Sequence, residues 1–148
     1  MKPFGQLDFV YTPSEDVAAD MQQFVSLLGA SIAFAIEAFG ARVAMVRLAD
    51  GRPDVRLADH LEGKRPVLVY RVADLDAATR VLRERGLDPG PELGIPHGPM
   101  HPFELPGSGH RLAIYELTRP EARTRFEGRR DFYPNSGLPV KSPPIRTR

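Results

Sequence analysis

The chain has 148 residues, 42% hydrophobic and 26% charged, enough for one packed domain or two small halves sharing a core. It contains no cysteine, which excludes disulfides, thiolate metal sites and cysteine nucleophiles, and its apolar runs are too short for a bilayer span. The net charge of +1 conceals an asymmetry: residues 118–148 carry eight Lys/Arg against three Asp/Glu, whereas residues 1–117 carry twelve against sixteen.

Leu7–Tyr11 alternates in polarity and reads as a strand. Thr12 as cap, Pro13 in the first turn and Glu15 completing a capping box predict a helix over Pro13–Leu28. Val17, Met21, Phe24 and Leu28 follow at helical spacing, and Gly29 stops the run. Strands are expected at Ser31–Ala38, Arg42–Ala49 and Pro53–Ala58, with turns at Gly40 and Gly51. The pattern then restarts. Val67–Val72 is a short strand, and Asp74 caps a helix over Leu75–Arg85 that ends before Gly86. Leu87–Pro102 is rich in Gly and Pro and is expected to be loop with at most one short strand. Pro102–Leu105 and His110–Leu117 are the last strands, joined by Pro106-Gly107-Ser108-Gly109. Residues 118–148 form a basic extension holding five of the fifteen prolines, expected to be solvated or draped over the surface without much regular structure.

Strand, helix and further strands thus occur twice, over about residues 7–60 and 66–117. Val10-Tyr11 and Val69-Tyr70 are offset by 59 residues, and Gly29 and Gly86 by 57. Each half is too small to bury both faces of its own sheet. The expected fold is α+β: two βαβββ modules sharing one curved mixed sheet over residues 1–117, with both helices on its convex side.

The chain resembles the vicinal oxygen chelate superfamily, which includes glyoxalase I, bleomycin-resistance proteins, fosfomycin-resistance enzymes and extradiol dioxygenases. The likeness rests on the duplicated order, on Phe24-Val25-Ser26-Leu27-Leu28-Gly29, on Val72-Ala73-Asp74-Leu75-Asp76 and on Leu105–Glu116, which is similar to the turn and last strand of the family. The resemblance implies a metal on the concave face, held by His and Glu from the first and last strands of each half. Those positions fall here at Leu7 or Phe9, Arg56, Val67 and Ala113, none of which ligates. A slip of one residue would bring Asp8 or Glu116 inside, but it would also turn Leu112 and Ile114 away from the helix-covered face. No family-type metal site and no cofactor are therefore expected.

Strand phase assigns Phe9, Tyr11, Arg56, Val67, Val69, Arg71, Arg111, Ala113 and Tyr115 to the cavity wall, a lining suited to a small organic anion. In a structural reading the arginines would instead pair with Asp54, Asp59 or Asp74. His97 and His101 lie in a turn-rich loop, where exposure is expected and a lid over the cavity is the other reading. His110 is expected to face solvent, and His60 ends a strand with no evident partner. Glu37 and Glu116 lie in apolar strands.

The expected function is capture of a small, anionic organic ligand without a metal. The alternative is a metal-dependent lyase or dioxygenase using unusual ligands such as His97, His101 and Glu116, so whether the chain is an enzyme stays open. A third reading makes the basic tail a recruitment segment. The family implies a homodimer. A cytoplasmic location is expected, with neither a membrane nor nucleic acid as partner.

Overall fold

The duplicated pattern is realised as two copies of one strand order. The computed structural model describes residues 3–38 and 40–132. Among these residues the first half comprises β1 (Gln6–Pro13), α1 (Val17–Leu28), β2 (Ser31–Ala38), β3 (Ala41–Arg47) and β4 (Asp54–Ala58). The second comprises β5 (Val67–Val72), α2 (Leu75–Glu84), β6 (Leu93–Ile95), β7 (Gly98–Glu104) and β8 (Arg111–Glu116). They form one sheet in the order β2-β3-β4-β1-β5-β8-β7-β6. β1 pairs parallel with β4, β5 pairs parallel with β8, and β1 and β5 run antiparallel at the centre. Each half therefore reads outward through the same sequence of strands.

Both helices cover the convex side. Val17 and Met21 of α1 pack on Ala35, Ala44, Val46 and Leu57, while Leu75, Ala78 and Leu82 of α2 pack on Val72, Phe103 and Ile114. A third apolar cluster, including Phe9, Phe34, Met45, Val69, Ala113 and Tyr115, lies on the concave face. No helix among the described residues is long and apolar enough to cross a membrane.

The first helix begins later than its capping pattern suggests. β1 continues to Pro13, which pairs with Ala58, and the Ser14 N–H donates to the Ala58 carbonyl at 3.0 Å. Sheet pairing thus holds Thr12 and Pro13 extended, and Asp16 becomes the cap, its carboxylate accepting from the Ala19 N–H at 3.0 Å. At the other end Gly29 adopts φ +74°. A Cβ added there would meet nothing within 4 Å, so only backbone strain opposes substitution. Gly29→Ala is expected to cost about 1 kcal/mol, measured by urea unfolding, because a left-handed residue with a side chain is disfavoured by that order.

Leu87–Pro102 contains most of two strands rather than at most one. β6 and β7 form a hairpin around Pro96-His97. The three residues of β6 stop opposite Met100, so Pro102 lies where β7 has no outer strand and a missing N–H costs little. Its free carbonyl accepts instead from the Gly90 N–H at 2.6 Å. The hairpin turn is fastened from beyond β8. The His97 carbonyl accepts from the N–H groups of Thr118 and Arg119, and the Arg119 guanidinium donates to the carbonyls of Ile95 and Pro96.

The described part of the basic extension is draped along its own chain. After a 3-10 turn at Pro120–Arg123, residues 128–131 bond to the β2 edge: the Ala35 N–H donates to the Arg129 carbonyl at 2.8 Å, and the Asp131 N–H to the Ala35 carbonyl at 2.7 Å. Phe126 stacks edge-on against Phe34, and Phe132 joins the α1 cluster. Residues 133–148 lie outside the described residues.

Candidate functional site

Strand register builds the concave face in rows. Arg111, Val67, Tyr11, Arg56 and Met45 are successive cross-strand partners from β8 to β3. Ala113, Val69 and Phe9 form the neighbouring row. Side chains in such rows share one face, so the inward assignment of these residues follows from the pairing itself.

Leu7 does not share the phase of Phe9. A bulge separates the two: Leu7 pairs with Tyr70, whose ring belongs to the α2 cluster, whereas Phe9 pairs with Val69 on the concave side. The extra residue is Asp8, and it is buried, only 2% exposed. A uniform slip of the strand would expose apolar residues, but a bulge moves Asp8 inward without turning the rest of β1. Asp8 accepts a hydrogen bond from the Tyr115 hydroxyl at 2.6 Å and faces the guanidinium groups of Arg71 at 3.3 Å and Arg52 at 3.6 Å. Burial, reinforced by the bond to Asp8 and by its charge, pushes the Tyr115 phenol well above its ordinary pKa. Arg71 is thus drawn toward Asp8, and it also donates to the Gln6 amide oxygen at 3.1 Å.

Arg56 points into the concavity and is 7% exposed. The carboxylates proposed to answer it are engaged elsewhere. Asp54 pairs with Arg47 and Arg52, Asp59 accepts from the Arg42 backbone N–H, and Asp74 caps α2. Among the described residues no carboxylate oxygen lies within 4 Å of its guanidinium. Aromatic faces receive the charge instead: the guanidinium carbon is 4.0 Å from the Phe9 ring centroid, 5.5 Å from Phe34 and 5.6 Å from Tyr11.

His97 is not an exposed loop residue. The hairpin turn presses it into the concave cluster, where it is 1% exposed and packs edge-on against Phe9 and Tyr115. Its Nε2 lies 3.4 Å from an Arg56 terminal nitrogen. Because a guanidinium can only donate, Nε2 is the acceptor and Nδ1 carries the proton. Burial and the adjacent Arg56 charge lower its pKa to about 4, so the ring is neutral at pH 7. Two buried donors, Arg56 Nε and His97 Nδ1, have no hydrogen-bond partner among the described residues.

Beside this packed centre lies a cleft of about 610 Å³. Tyr11, Val67, Val69 and Ala113 form its floor, and Ile95 and Met100 of the hairpin form one wall. Arg111, Glu104 and His60 bring polar groups to it, and His60 packs edge-on against Tyr11, the partner its sequence position does not disclose. Of the residues assigned to the cavity, Tyr11, Val67, Val69, Arg111 and Ala113 line the cleft. Phe9, Arg56 and Tyr115 sit in the adjoining core.

The donor set does not fit a divalent metal. The positions where the family resemblance implies ligands hold Phe9, Arg56, Val67 and Ala113, and among the described residues no three His, Asp or Glu side chains converge to hold an ion. His97, His101 and Glu116 form no such group. His101 Nδ1 bonds the Gly90 carbonyl at 2.8 Å, and Glu116 accepts from the Leu75 N–H at the start of α2. Glu37 forms a surface pair with Arg42 at 3.4 Å, and His110 is exposed.

No family model and no curated relative matches the chain. Solved structures do match. Methylmalonyl-CoA epimerase from Mycobacterium tuberculosis aligns with a TM-score of 0.66 at 18% identity, covering 82% of this chain and 93% of the other. A further methylmalonyl-CoA epimerase aligns with a TM-score of 0.65 at 19% identity, covering 80% and 99%. A Streptomyces coelicolor methylmalonyl-CoA epimerase in complex with 2-nitronate-propionyl-CoA aligns with a TM-score of 0.63 at 15% identity, covering 78% and 96%. The shared feature is architecture: this chain has the same fold as these epimerases, a glyoxalase-like α+β fold built on one eight-stranded mixed sheet.

Proposed function

We propose that the chain binds a small organic anion in its concave cleft without a metal ion. The observation that carries this reading is Arg56: among the described residues its buried guanidinium has no carboxylate partner and its Nε no hydrogen-bond partner, and it lies over the ring of Tyr11, which also floors the cleft. A fixed cation in a low-dielectric setting attracts an anionic ligand group and repels a divalent ion. The apolar floor and hairpin wall suit the ligand's organic body. Several solved neighbours carry acyl-CoA-type ligands, which supports a small-molecule role for the fold. The metal-dependent alternative draws on the enzymatic names of those neighbours, but it requires ligands that the residues around Arg56 do not supply.

The test is isothermal titration of the purified protein with decanoate, alongside elemental analysis for transition metals. Wild type is expected to bind decanoate and to carry no stoichiometric metal. Arg56→Ala is expected to weaken binding about tenfold or more, since a charged hydrogen bond contributes roughly 1.5–3 kcal/mol. Arg56→Met, which keeps packing on Phe9, is expected to do the same while retaining the fold by circular dichroism. Unchanged affinity in both variants overturns the anion reading. One equivalent of metal whose chelation abolishes activity establishes the enzymatic one. The homodimer belongs to the same proposal, with light scattering at micromolar concentration as its check.

A further inference from the structure

We propose that residues 125–132 are a clasp that shuts the first half of the concave face, and that an anionic ligand group reaches Arg56 only when the clasp leaves β2. This rests on the reading of Arg56 given above and adds its control. The two halves repeat one strand order, yet they differ in how open they are. The lining of the 610 Å³ cleft includes no residue of β2, β3 or β4. On the concave side of those strands Ala33, Phe34 and Met45 are buried, and Phe126 of the extension packs against their cluster. The Phe34 ring links the clasp to the charge. Its centroid is 5.6 Å from that of Phe126 and 5.5 Å from the Arg56 guanidinium carbon. Arg125 brings a further cation close enough to His97, the neighbour of Arg56, to help keep its imidazole neutral.

The attachment has the form of a clip on a sheet edge. Phe126 joins the concave cluster and Phe132 the α1 cluster on the opposite face, and between them Gly128, at φ +84°, helps turn the chain round β2. The Gly128 and Asp131 N–H groups donate to the carbonyls of Ala33 and Ala35 at 2.8 and 2.7 Å. In return the Ala35 N–H donates to the Arg129 carbonyl at 2.8 Å and the Glu37 N–H to the Asp131 carboxylate at 3.0 Å. The Arg130 guanidinium donates to the Ile32 carbonyl, and an ion pair joins Arg47 to Glu127 at 2.8 Å. Residues 123–125, 127–129 and 131 are exposed. A segment held mainly by exposed hydrogen bonds and two rings opens locally at far less cost than global unfolding. The β3–β4 ladder lies inside the sheet under α1 and does not share that opening.

Native-state hydrogen exchange followed by NMR, with and without saturating decanoate, reads the clasp directly. The amides of Ala35, Gly128 and Asp131 are expected to exchange together. Decanoate is expected to speed them about fivefold or more relative to amides of the β3–β4 ladder, because a ligand that binds the open form draws the population toward it. Isothermal titration gives a second readout, since the apparent affinity of such a ligand rises with the open fraction. Glu127→Gln, which loses an exposed ion pair, is expected to tighten decanoate binding about two- to fivefold, and Phe126→Ala by more, both with the circular dichroism of wild type. A fixed wall would give the opposite sign, because its loss weakens binding. Exchange at these amides unchanged or slowed by decanoate, or affinity unchanged or weakened in either variant, overturns the clasp and leaves Arg56 as an anion site. No decanoate binding, or equal binding to wild type and Arg56→Ala, overturns the underlying reading instead.

Discussion

Asp8→Ala is expected to destabilise the protein by about 3 kcal/mol, lowering the midpoint of thermal unfolding by roughly 10 °C. The side chain is almost fully buried and serves three partners: the Tyr115 hydroxyl at 2.6 Å, Arg71 at 3.3 Å and Arg52 at 3.6 Å. Alanine would strand the fully buried Tyr115 hydroxyl and remove the counter-charge of both arginines. The arginine side chains are about a quarter exposed, so water recovers part of their loss, which places the cost at the lower end for a broken buried pair. Asp8→Asn keeps an acceptor for Tyr115 and is expected to cost about half as much. Tyr115→Phe removes only the hydroxyl, at about 1 kcal/mol. A double-mutant cycle over Asp8 and Tyr115 gives the coupling directly, and additive effects would show that the bond contributes nothing.

Asp8 also marks where sequence pattern and three-dimensional structure part. Strand phase is read by assuming strict alternation, and alternation puts Tyr11, Arg56, Val67, Val69 and Ala113 on one face, where their strands pair without interruption. A single extra residue between Leu7 and Phe9 breaks the rule locally, and neither neighbour reports it. The helix start fails for a related reason. Thr12-Pro13-Ser14-Glu15 has the local chemistry of a cap, but pairing with β4 holds Thr12 and Pro13 in the sheet. The overall fold survives both errors because it is specified twice, once in each half, and by helix-covered residues such as Leu57, Leu112 and Ile114 that remain in phase.

His97 illustrates a different loss of information. Its immediate sequence, Ile-Pro-His-Gly-Pro, reads as an exposed turn, and a turn it is. What buries the imidazole is the fastening of that turn to Thr118 and Arg119, more than twenty residues away, together with the aromatic hollow formed by Phe9 and Tyr115. The absence of carboxylates around Arg56 is equally non-local. Asp54 and Asp59 are close in sequence, but each is claimed by another partner once β3 and β4 pair.

Burial of neutral His97 makes stability depend on pH in a definite direction. Its pKa in the folded protein is about 4, against about 6.5 for an unfolded chain. Between these values the unfolded state binds the extra proton, so stability rises with pH. The contribution is fully present above about pH 6.5 and is lost as the pH falls toward 4, where it amounts to about 3 kcal/mol. Protonation would bring a second cation within 3.4 Å of Arg56 and turn the acceptor of that contact into a donor. Urea unfolding at pH 7 and pH 4.5 is expected to show this loss in the wild type. His97→Gln retains a neutral acceptor and cannot titrate, so its stability is expected to fall much less over the same interval. Exposed acids such as Asp131, held below its ordinary pKa by Arg129, titrate in both proteins and cancel in the comparison. Equal losses in wild type and His97→Gln would assign the acid sensitivity elsewhere and remove His97 as its source.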